Sequence, residues 1–179
     1  MDPGSPASGG FSDENRMLVV VDMQVGTTRA ENHSQLLDDE WWKRHEAVVA
    51  NIRILSQKMD TRFQVHTGLE DRTDWDVIPE LEEVFQASGD RILKVYDDGS
   101  TELSRVISRD MHIYLCGMNT DACVFRTAVG LAYRGYWVTV VGDACWSVWV
   151  FERPRCHDLA LESLGSVSRV RVVSTSAVR

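Results

Sequence analysis

A continuous run of apolar residues near the start of the chain restricts the fold more than any other feature. Residues 17–21, Met-Leu-Val-Val-Val, contain no polar side chain and lead directly to Asp22. A strand without polar alternation is buried on both faces, as in the centre of a parallel sheet that is covered by helices. Asp22 would then follow the carboxyl end of that strand, where open α/β sheets bind ligands. A helix cap or a turn is the alternative role for an aspartate there.

Strand-like and helix-like patterns alternate along the rest of the chain. Further strands are predicted over residues 62–67, 91–96, 111–116, 136–141 and 170–174. Helices are predicted over residues 40–59, 80–85, 101–109 and 153–164, and another helix follows Cys123. This alternation predicts an α/β fold, a three-layer αβα sandwich with a mostly parallel, Rossmann-like central sheet. We expect residues 17–179 to form one domain, and residues 1–16, rich in Gly, Ser and Pro, to be a disordered leader or a non-native remnant.

Charge and motif content narrow the possible partners. The 27 acidic residues outnumber the 19 Lys and Arg residues, and the net charge of −8 argues against a nucleic-acid or anionic membrane surface. No apolar run is long enough to span a membrane, and no signal-peptide core is present, so a cytoplasmic location is expected. The four cysteines form no C-x-x-C pair, so we expect free thiols. Neither a G-x-G-x-x-G nor a Walker motif supports a nucleotide cofactor.

The stretch from Tyr114 to Ala128 places a cysteine where a nucleophile is favoured. An apolar strand reaches a turn at Gly117, and Thr120 and Asp121 are candidate caps for the following helix. Cys123 therefore falls near a helix N-terminus, where free N–H groups and positive potential favour a thiolate. Packing of a small apolar side chain in the first helical turn is the alternative for this cysteine.

Lys94 lies inside a predicted strand, which is an unusual position for an ammonium group. A buried lysine needs a paired anion, whereas a lysine at a strand end can reach solvent. A parallel sheet can bring Asp22, Lys94 and Cys123 together at one edge. In that arrangement Asp22 can take the thiol proton, and Lys94 can hold Asp22 ionised, stabilise a thiolate and orient substrate.

Three separated motifs, in this order, resemble those of the isochorismatase-like cysteine hydrolases, which include nicotinamidases and N-carbamoylsarcosine amidohydrolase-like enzymes. The family's opening strand with its catalytic Asp is similar to Leu18-Val-Val-Val-Asp-Met-Gln24. Its lysine strand is similar to Gly89-Asp-Arg-Ile-Leu-Lys94, and its nucleophile turn to Gly117-Met-Asn-Thr-Asp-Ala-Cys-Val124. Gly142-Asp-Ala-Cys145 resembles the segment after the fifth strand. The resemblance extends from Met17 to about Thr175.

The resemblance implies a set of site residues. It implies a catalytic triad of Asp22, Lys94 and Cys123, and an oxyanion hole formed by the backbone N–H groups of Asn119 and Cys123. It also implies a cis peptide at Met118–Asn119. The residues predicted to contact substrate are Gln24, Met118 and Trp146. Family members are usually dimers or larger, so we expect a homodimer or higher homo-oligomer in which Trp41, Trp42, Trp146 or Trp149 can be buried against a partner chain.

Two segments depart from the family pattern. Nicotinamidase-like members carry a metal site in a DWHP-like segment after the second strand, whereas this chain has Trp75 without the following His-Pro. His66 is the only histidine nearby, so no metal site is predicted. Where the family has a Phe after the lysine strand, this chain has Asp97-Asp-Gly, which predicts a different pocket wall.

We therefore predict a hydrolase that cleaves the C–N bond of a small amide, ureido or carbamoyl substrate through a Cys123 thioester, without an organic cofactor. An isochorismatase-type vinyl-ether hydrolase is one alternative, because that reaction proceeds by proton transfer and needs no thiol. A catalytically silent α/β binding module is the other. The partner expected is a small molecule.

Overall fold

One six-stranded, fully parallel sheet forms the centre of the protein. The computed structural model describes residues 15–28, 39–66, 76–88, 91–148 and 155–179. The strands are β1 (Arg16–Val21), β2 (Asp60–His66), β3 (Arg91–Lys94), β4 (His112–Met118), β5 (Trp137–Trp146) and β6 (Val170–Val173). Their order across the sheet is β3-β2-β1-β4-β5-β6. The order reverses between β1 and β4, which is the position where sheets of this kind bind ligands.

Helices connect successive strands and form the outer layers. They are α1 (Val25–Thr28), α2 (Asp39–Ser56), α3 (Glu82–Ser88), α4 (Ser100–Val106), α5 (Phe125–Tyr133) and α6 (Cys156–Leu164). Right-handed crossovers place the connections made in one direction along the sheet on one face and those made in the other direction on the opposite face. In agreement, α5 contacts both α4 and α6, whereas α2 packs on β1, β4 and β5. The predicted αβα architecture is confirmed.

The core follows the apolar patterns of the sequence. All four residues from Leu18 to Val21 are fully buried, as expected for a central strand covered on both sides. In α2 the residues of one stripe are buried: Trp41, Val48, Ile52 and Leu55. Trp42 lies off this stripe and is 38% exposed. Trp41 is thus part of the core of its own chain and is not available to a partner subunit.

Several element boundaries differ from the predictions. The fifth strand continues to Trp146, five residues beyond the predicted end, because a register shift between Leu115 and Gly117 lets Cys145 and Trp146 pair with β4. The helix predicted over residues 101–109 ends at Val106, which is 65% exposed. Residues Val25–Thr28, for which no helix is predicted from the sequence, form α1. The first strand begins at Arg16, the last residue of the predicted leader, whose residues 1–14 lie outside the described ranges.

Gly117 lies against the backbone of the neighbouring strand, and its replacement should be costly. Its φ is +113°, and a Cβ there would lie 2.1 Å from the carbonyl oxygen of Val21 in the neighbouring strand. We expect Gly117→Ala to lower the free energy of unfolding by at least about 2 kcal/mol, since both the backbone angle and a backbone contact are violated. Urea unfolding measures this. Gly135→Ala is the matched control: its φ is +92° but no atom lies within 4 Å, so only the conformational cost of about 1 kcal/mol applies. Equal losses in both variants would contradict the expectation.

Candidate active site

A buried ion pair lies at the carboxyl edge of the sheet. The Nζ of Lys94, at the end of β3, is 2.7 Å from Oδ2 of Asp22, directly after β1. The two side chains are 0% and 2% exposed. Lys94 also donates a hydrogen bond to the carbonyl oxygen of Tyr96 at 3.2 Å. The lysine is therefore buried and paired, as its place in the strand pattern indicated, and does not reach solvent.

The backbone of Asp22 is held in a rarely adopted conformation. Its φ is +49°, in the left-handed region that few residues other than glycine occupy. Its N–H donates to the carbonyl oxygen of Gln64 in β2 at 2.8 Å, and its own carbonyl accepts a bond from the Thr27 hydroxyl. These contacts fix the turn after β1, and the carboxylate points at Lys94. Strain of this kind is often retained at functional sites.

Cys123 enters the site from the segment after β4. The Met118–Asn119 peptide is cis, and residues Thr120–Val124 form a π-helical turn that continues into α5. The carbonyl oxygen of Asn119 accepts the N–H groups of Ala122 and Val124, each at 3.1 Å, which closes the turn. The thiol is buried, being 8% exposed, and the charge of the nearby Asp22 carboxylate raises its pKa. The three predicted triad members are thus adjacent.

Thr120 and Asp121 do not cap the helix as predicted. The cap position is Asn119, without a side-chain cap bond. The Thr120 hydroxyl is instead 2.9 Å from Nδ1 of His157 in α6, and the Ser147 hydroxyl donates to Asp121 at 2.5 Å. Both side chains therefore connect the turn to neighbouring segments. They do not cap the helix because the π-helical turn already begins at Thr120, so both residues lie inside it.

The electrostatics favour a thiol at rest. Burial raises the pKa of Cys123 well above its usual value, and the Asp22 and Asp97 carboxylates raise it further, whereas Lys94 lowers it. Burial also raises the pKa of Asp22, against the opposing effect of Lys94. A resting thiolate, which the position of Cys123 near a helix N-terminus favoured, is therefore disfavoured. Deprotonation during attack, with Asp22 as the acceptor, fits the site, because a carboxylate with a raised pKa is a better base.

Asp97 lies beside the nucleophile, whereas the sequence indicated only that its segment forms a different pocket wall. Its Oδ1 is 3.8 Å from Sγ of Cys123, and its Oδ2 is 2.8 Å from Nη1 of Arg126 in α5. The signal in the sequence was the carboxylate three residues after Lys94, in the segment that departs from the family pattern. The expected difference in the pocket wall is therefore a charged group beside the thiol.

The structure places the three residues predicted to contact substrate in different surroundings. Both polar ends of the Gln24 amide are bonded to the His66 backbone, at 2.7 and 3.2 Å, so this side chain connects the ends of β1 and β2. Met118 is fully buried at the end of β4. The Trp146 ring packs against His157 and lies 4.8 Å below the Arg44 guanidinium carbon. Their contacts with substrate stay predictions.

The other cysteines are buried or distant from Asp22. Burial raises the pKa of Cys145 to about 12 and that of Cys116 well above its usual value.

His66 is half-buried, and its pKa is lowered by burial and by Lys94. Within the described ranges no group of three or more His, Cys, Asp or Glu side chains is arranged to hold a metal ion. The segment in which the family has its metal ligands, residues 67–75, lies outside those ranges, as does Trp149.

No helix in the part of the chain that the structure describes is long and apolar enough to cross a bilayer.

Solved structures of other proteins have the same fold as this chain. A nicotinamidase from Bacillus subtilis superposes with a TM-score of 0.67 at 16% identity, over 89% of this chain and 99% of that one. A cysteine hydrolase from Pseudomonas syringae pv. phaseolicola 1448A gives a TM-score of 0.68 at 18% identity, over 92% and 90% of the two chains. At such identities the likeness shows a shared fold.

Sequence comparison identifies the family. Isochorismatase domain-containing protein 2A of Mus musculus is 44% identical over 48 residues, which make up 27% of this chain and 20% of that protein. The match therefore spans only a fifth of the length of this curated relative. The Isochorismatase domain family, by contrast, matches residues 16–177, nearly the whole chain. This protein therefore belongs to the Isochorismatase domain family.

Proposed function

We propose that the protein is a cysteine hydrolase that cleaves the C–N bond of a small amide, ureido or carbamoyl substrate. The buried Asp22–Lys94 ion pair in contact with the Cys123 thiol is the observation that carries this proposal. Burying two charges is costly, and an apolar pair would fill the same space at lower cost. A catalytic role explains why the pair is kept, because a carboxylate beside the thiol can accept its proton and later return it. The names of the two structural neighbours, a nicotinamidase and a cysteine hydrolase, agree with C–N hydrolysis by a thiol.

In the first half of the proposed reaction, Sγ of Cys123 attacks the substrate carbonyl carbon while its proton moves to Asp22. The carbonyl π electrons move to oxygen, and the N–H groups of Asn119 and Cys123 stabilise this oxyanion. When the oxyanion collapses, the C–N bond breaks and Asp22 gives its proton to the departing nitrogen. Ammonia or an amine leaves, and a thioester stays on Cys123.

In the second half, Asp22 takes a proton from water as that water attacks the thioester carbonyl. The tetrahedral intermediate again has its negative charge in the oxyanion hole. Its collapse breaks the C–S bond, and the sulfur recovers the proton. The Lys94 ammonium opposes the charge of Asp22 throughout, so the carboxylate can alternate between base and acid. No organic cofactor is needed in any step.

The same proposal includes the substrate-contacting residues, the cellular location and the oligomeric state. Gln24, Met118 and Trp146 contact the substrate, which is a small molecule. The enzyme works in the cytoplasm as a homodimer or larger homo-oligomer. Trp42 is the exposed aromatic residue of α2 that a partner subunit could cover.

Trapping of the acyl enzyme tests the proposal. The protein is incubated with millimolar propionamide or N-methylurea, quenched in acid, digested with trypsin and examined by mass spectrometry. We expect the mass of the acyl group on Cys123 together with release of ammonia, because the thioester forms before water attacks. Residues 110–126 form one tryptic peptide that holds both Cys116 and Cys123, so fragment spectra must assign the adduct.

Two variants serve as controls. Cys123→Ala should carry no adduct, whereas Cys156→Ser should keep it, since Cys156 lies in α6 apart from the ion pair. Ammonia release by a protein that carries no acyl group on Cys123, or an adduct on another cysteine, would rule out the thioester route.

A further inference from the structure

The carboxylate of Asp97 is a charged group beside the nucleophile that the triad chemistry does not use. Its Oδ1 is 3.8 Å from Sγ of Cys123, and its Oδ2 is engaged by Nη1 of Arg126 at 2.8 Å. The Asp97 side chain is 40% exposed and that of Arg126 is 62% exposed. Asp97 is thus both next to the reacting sulfur and open to solvent, whereas Asp22 is buried. Two separate carboxylates therefore contact one thiol.

The position of Asp97 is fixed by the helix that follows the nucleophile. Its backbone carbonyl accepts a bond from the Thr127 hydroxyl at 3.4 Å, and the same hydroxyl accepts the N–H of Gly99 at 3.1 Å. Thr127 and Arg126 both belong to α5, which begins two residues after Cys123. The neighbouring Asp98 has a different task, because its Oδ1 accepts the Ser100 N–H at the start of α4. Of these two acids, Asp97 alone faces the sulfur.

The substituents of the substrate carbonyl must be divided among the groups around Cys123. The oxygen goes to the N–H groups of the turn, and the leaving nitrogen goes to Asp22. The third group on the carbonyl carbon then lies on the remaining side of the sulfur, next to Oδ1 of Asp97. A carboxylate only accepts hydrogen bonds. A substrate bound against the sulfur would displace solvent from this oxygen, so a carbon substituent would offer it no donor in exchange, whereas an N–H would replace the lost hydrogen bond.

We propose that Asp97 is a specificity-determining residue that selects substrates in which the carbonyl carbon bears nitrogen on both sides, that is, ureido compounds over simple carboxamides. This inference rests on the proposed cysteine-hydrolase function and narrows its substrate class. Arg126 pairs with the other oxygen, Oδ2, at the exposed side of the site and takes no part in the selection. A hydrogen bond to a charged acceptor is worth about 10- to 100-fold in discrimination against an analogue that lacks the donor.

Matched substrate pairs test the selection. N-methylurea and propionamide differ only by NH in place of CH2, as do N-carbamoylglycine and succinamic acid. We expect the ratio of kcat/KM, ureido over carboxamide, to fall at least tenfold in Asp97→Ala relative to the wild type. Intrinsic reactivity cancels, because the same two compounds are compared in both proteins. Asp97→Asn, which keeps the side-chain shape, should give an intermediate ratio and provides a second variant should the first not fold.

Arg126→Gln is the matched control, since it removes the ion pair but keeps the carboxylate oxygen. We expect it to keep the preference within about threefold. An unchanged ratio in Asp97→Ala, whether activity on both members of a pair falls equally or not at all, would overturn the selection while leaving the hydrolase proposal intact. If the wild type neither hydrolyses any of the four compounds nor is protected by them from alkylation at Cys123, the proposed function fails and this inference fails with it.

Discussion

Replacing Cys123 with serine should lower kcat/KM for ammonia release from a small amide or urea by about 10³-fold or more. Asp22 is the base that the proposed mechanism uses, and a serine hydroxyl in the same buried surroundings would hold its proton more tightly than the Cys123 thiol does. A carboxylate that can deprotonate the thiol during attack is too weak a base for the hydroxyl. Removal of a nucleophile commonly costs several orders of magnitude. Initial rates from a coupled ammonia assay, with the wild type as reference, measure the loss.

Cys156→Ser provides the matched comparison for this substitution. Cys156 is a partly exposed thiol in α6, so the same chemical change there should leave the rate within about twofold. Full activity of Cys123→Ser would mean that the sulfur is dispensable. That result would favour the vinyl-ether hydrolase, in which proton transfer by Asp22 is sufficient. A wild-type protein without turnover on any amide or urea would favour a silent binding module.

Asp22 and Lys94 could be predicted as site residues because each lies in or directly after a segment with a strong local sequence pattern. The apolar run before Asp22 could only be a central strand, and a lysine inside a strand needs an anion. Both statements depend on solvation, which acts in the same way in any fold. The distance between Asp22 and Lys94 did not follow from these patterns alone, because β2 lies between their strands. The family resemblance supplied that pairing.

The features that the sequence did not predict depend on register and on turn geometry. The continuation of β5 to Trp146 requires the bulge in β4, which no periodicity shows. The π-helical turn moves Thr120 and Asp121 from cap positions to side-chain contacts with His157 and Ser147. The contact of Asp97 with the sulfur depends on how the segment after β3 bends towards α5. A one-residue shift in any of these segments would change the contacts, and propensities do not resolve such a shift.

The raised pKa of Cys123 also could not be inferred from position. A place near a helix N-terminus predicts a lower thiol pKa. Burial and two carboxylates within reach outweigh that contribution and the effect of Lys94. The resulting thiol matches a mechanism in which the proton moves during attack.

Replacing Lys94 with methionine should remove both stability and activity. The substitution leaves the Asp22 carboxylate buried without its cation, and breaking a buried pair in this way costs about 3–5 kcal/mol. Activity should fall by at least about 10²-fold, because the cation no longer opposes the charge of Asp22 during proton transfer. Urea unfolding at neutral pH measures the first effect, and ammonia release under conditions where the variant is folded measures the second.

The loss of stability in Lys94→Met should depend on pH in a defined direction. Without Lys94, burial raises the pKa of Asp22 further above the unfolded value of about 3.9. Between these two pKa values the folded state binds a proton that the unfolded state lacks, so the free energy of unfolding falls as pH rises. The deficit relative to the wild type should therefore be small near pH 4 and largest near neutrality. A deficit of the same size at both pH values would assign the loss to packing of the lysine chain.

The double variant Asp22→Leu with Lys94→Met separates structure from chemistry. Replacing both charges with apolar side chains removes the uncompensated carboxylate, so stability should return to within about 1–2 kcal/mol of the wild-type value, the remainder being the cost of a leucine at the positive φ of residue 22. Activity should not return, because the buried base that takes the thiol proton in the proposed mechanism has been removed. Recovery of stability without activity would show that the pair is retained for its chemistry. A double variant no more stable than Lys94→Met alone would instead indicate that the ion pair supports the fold, and the main argument for the catalytic role would be lost.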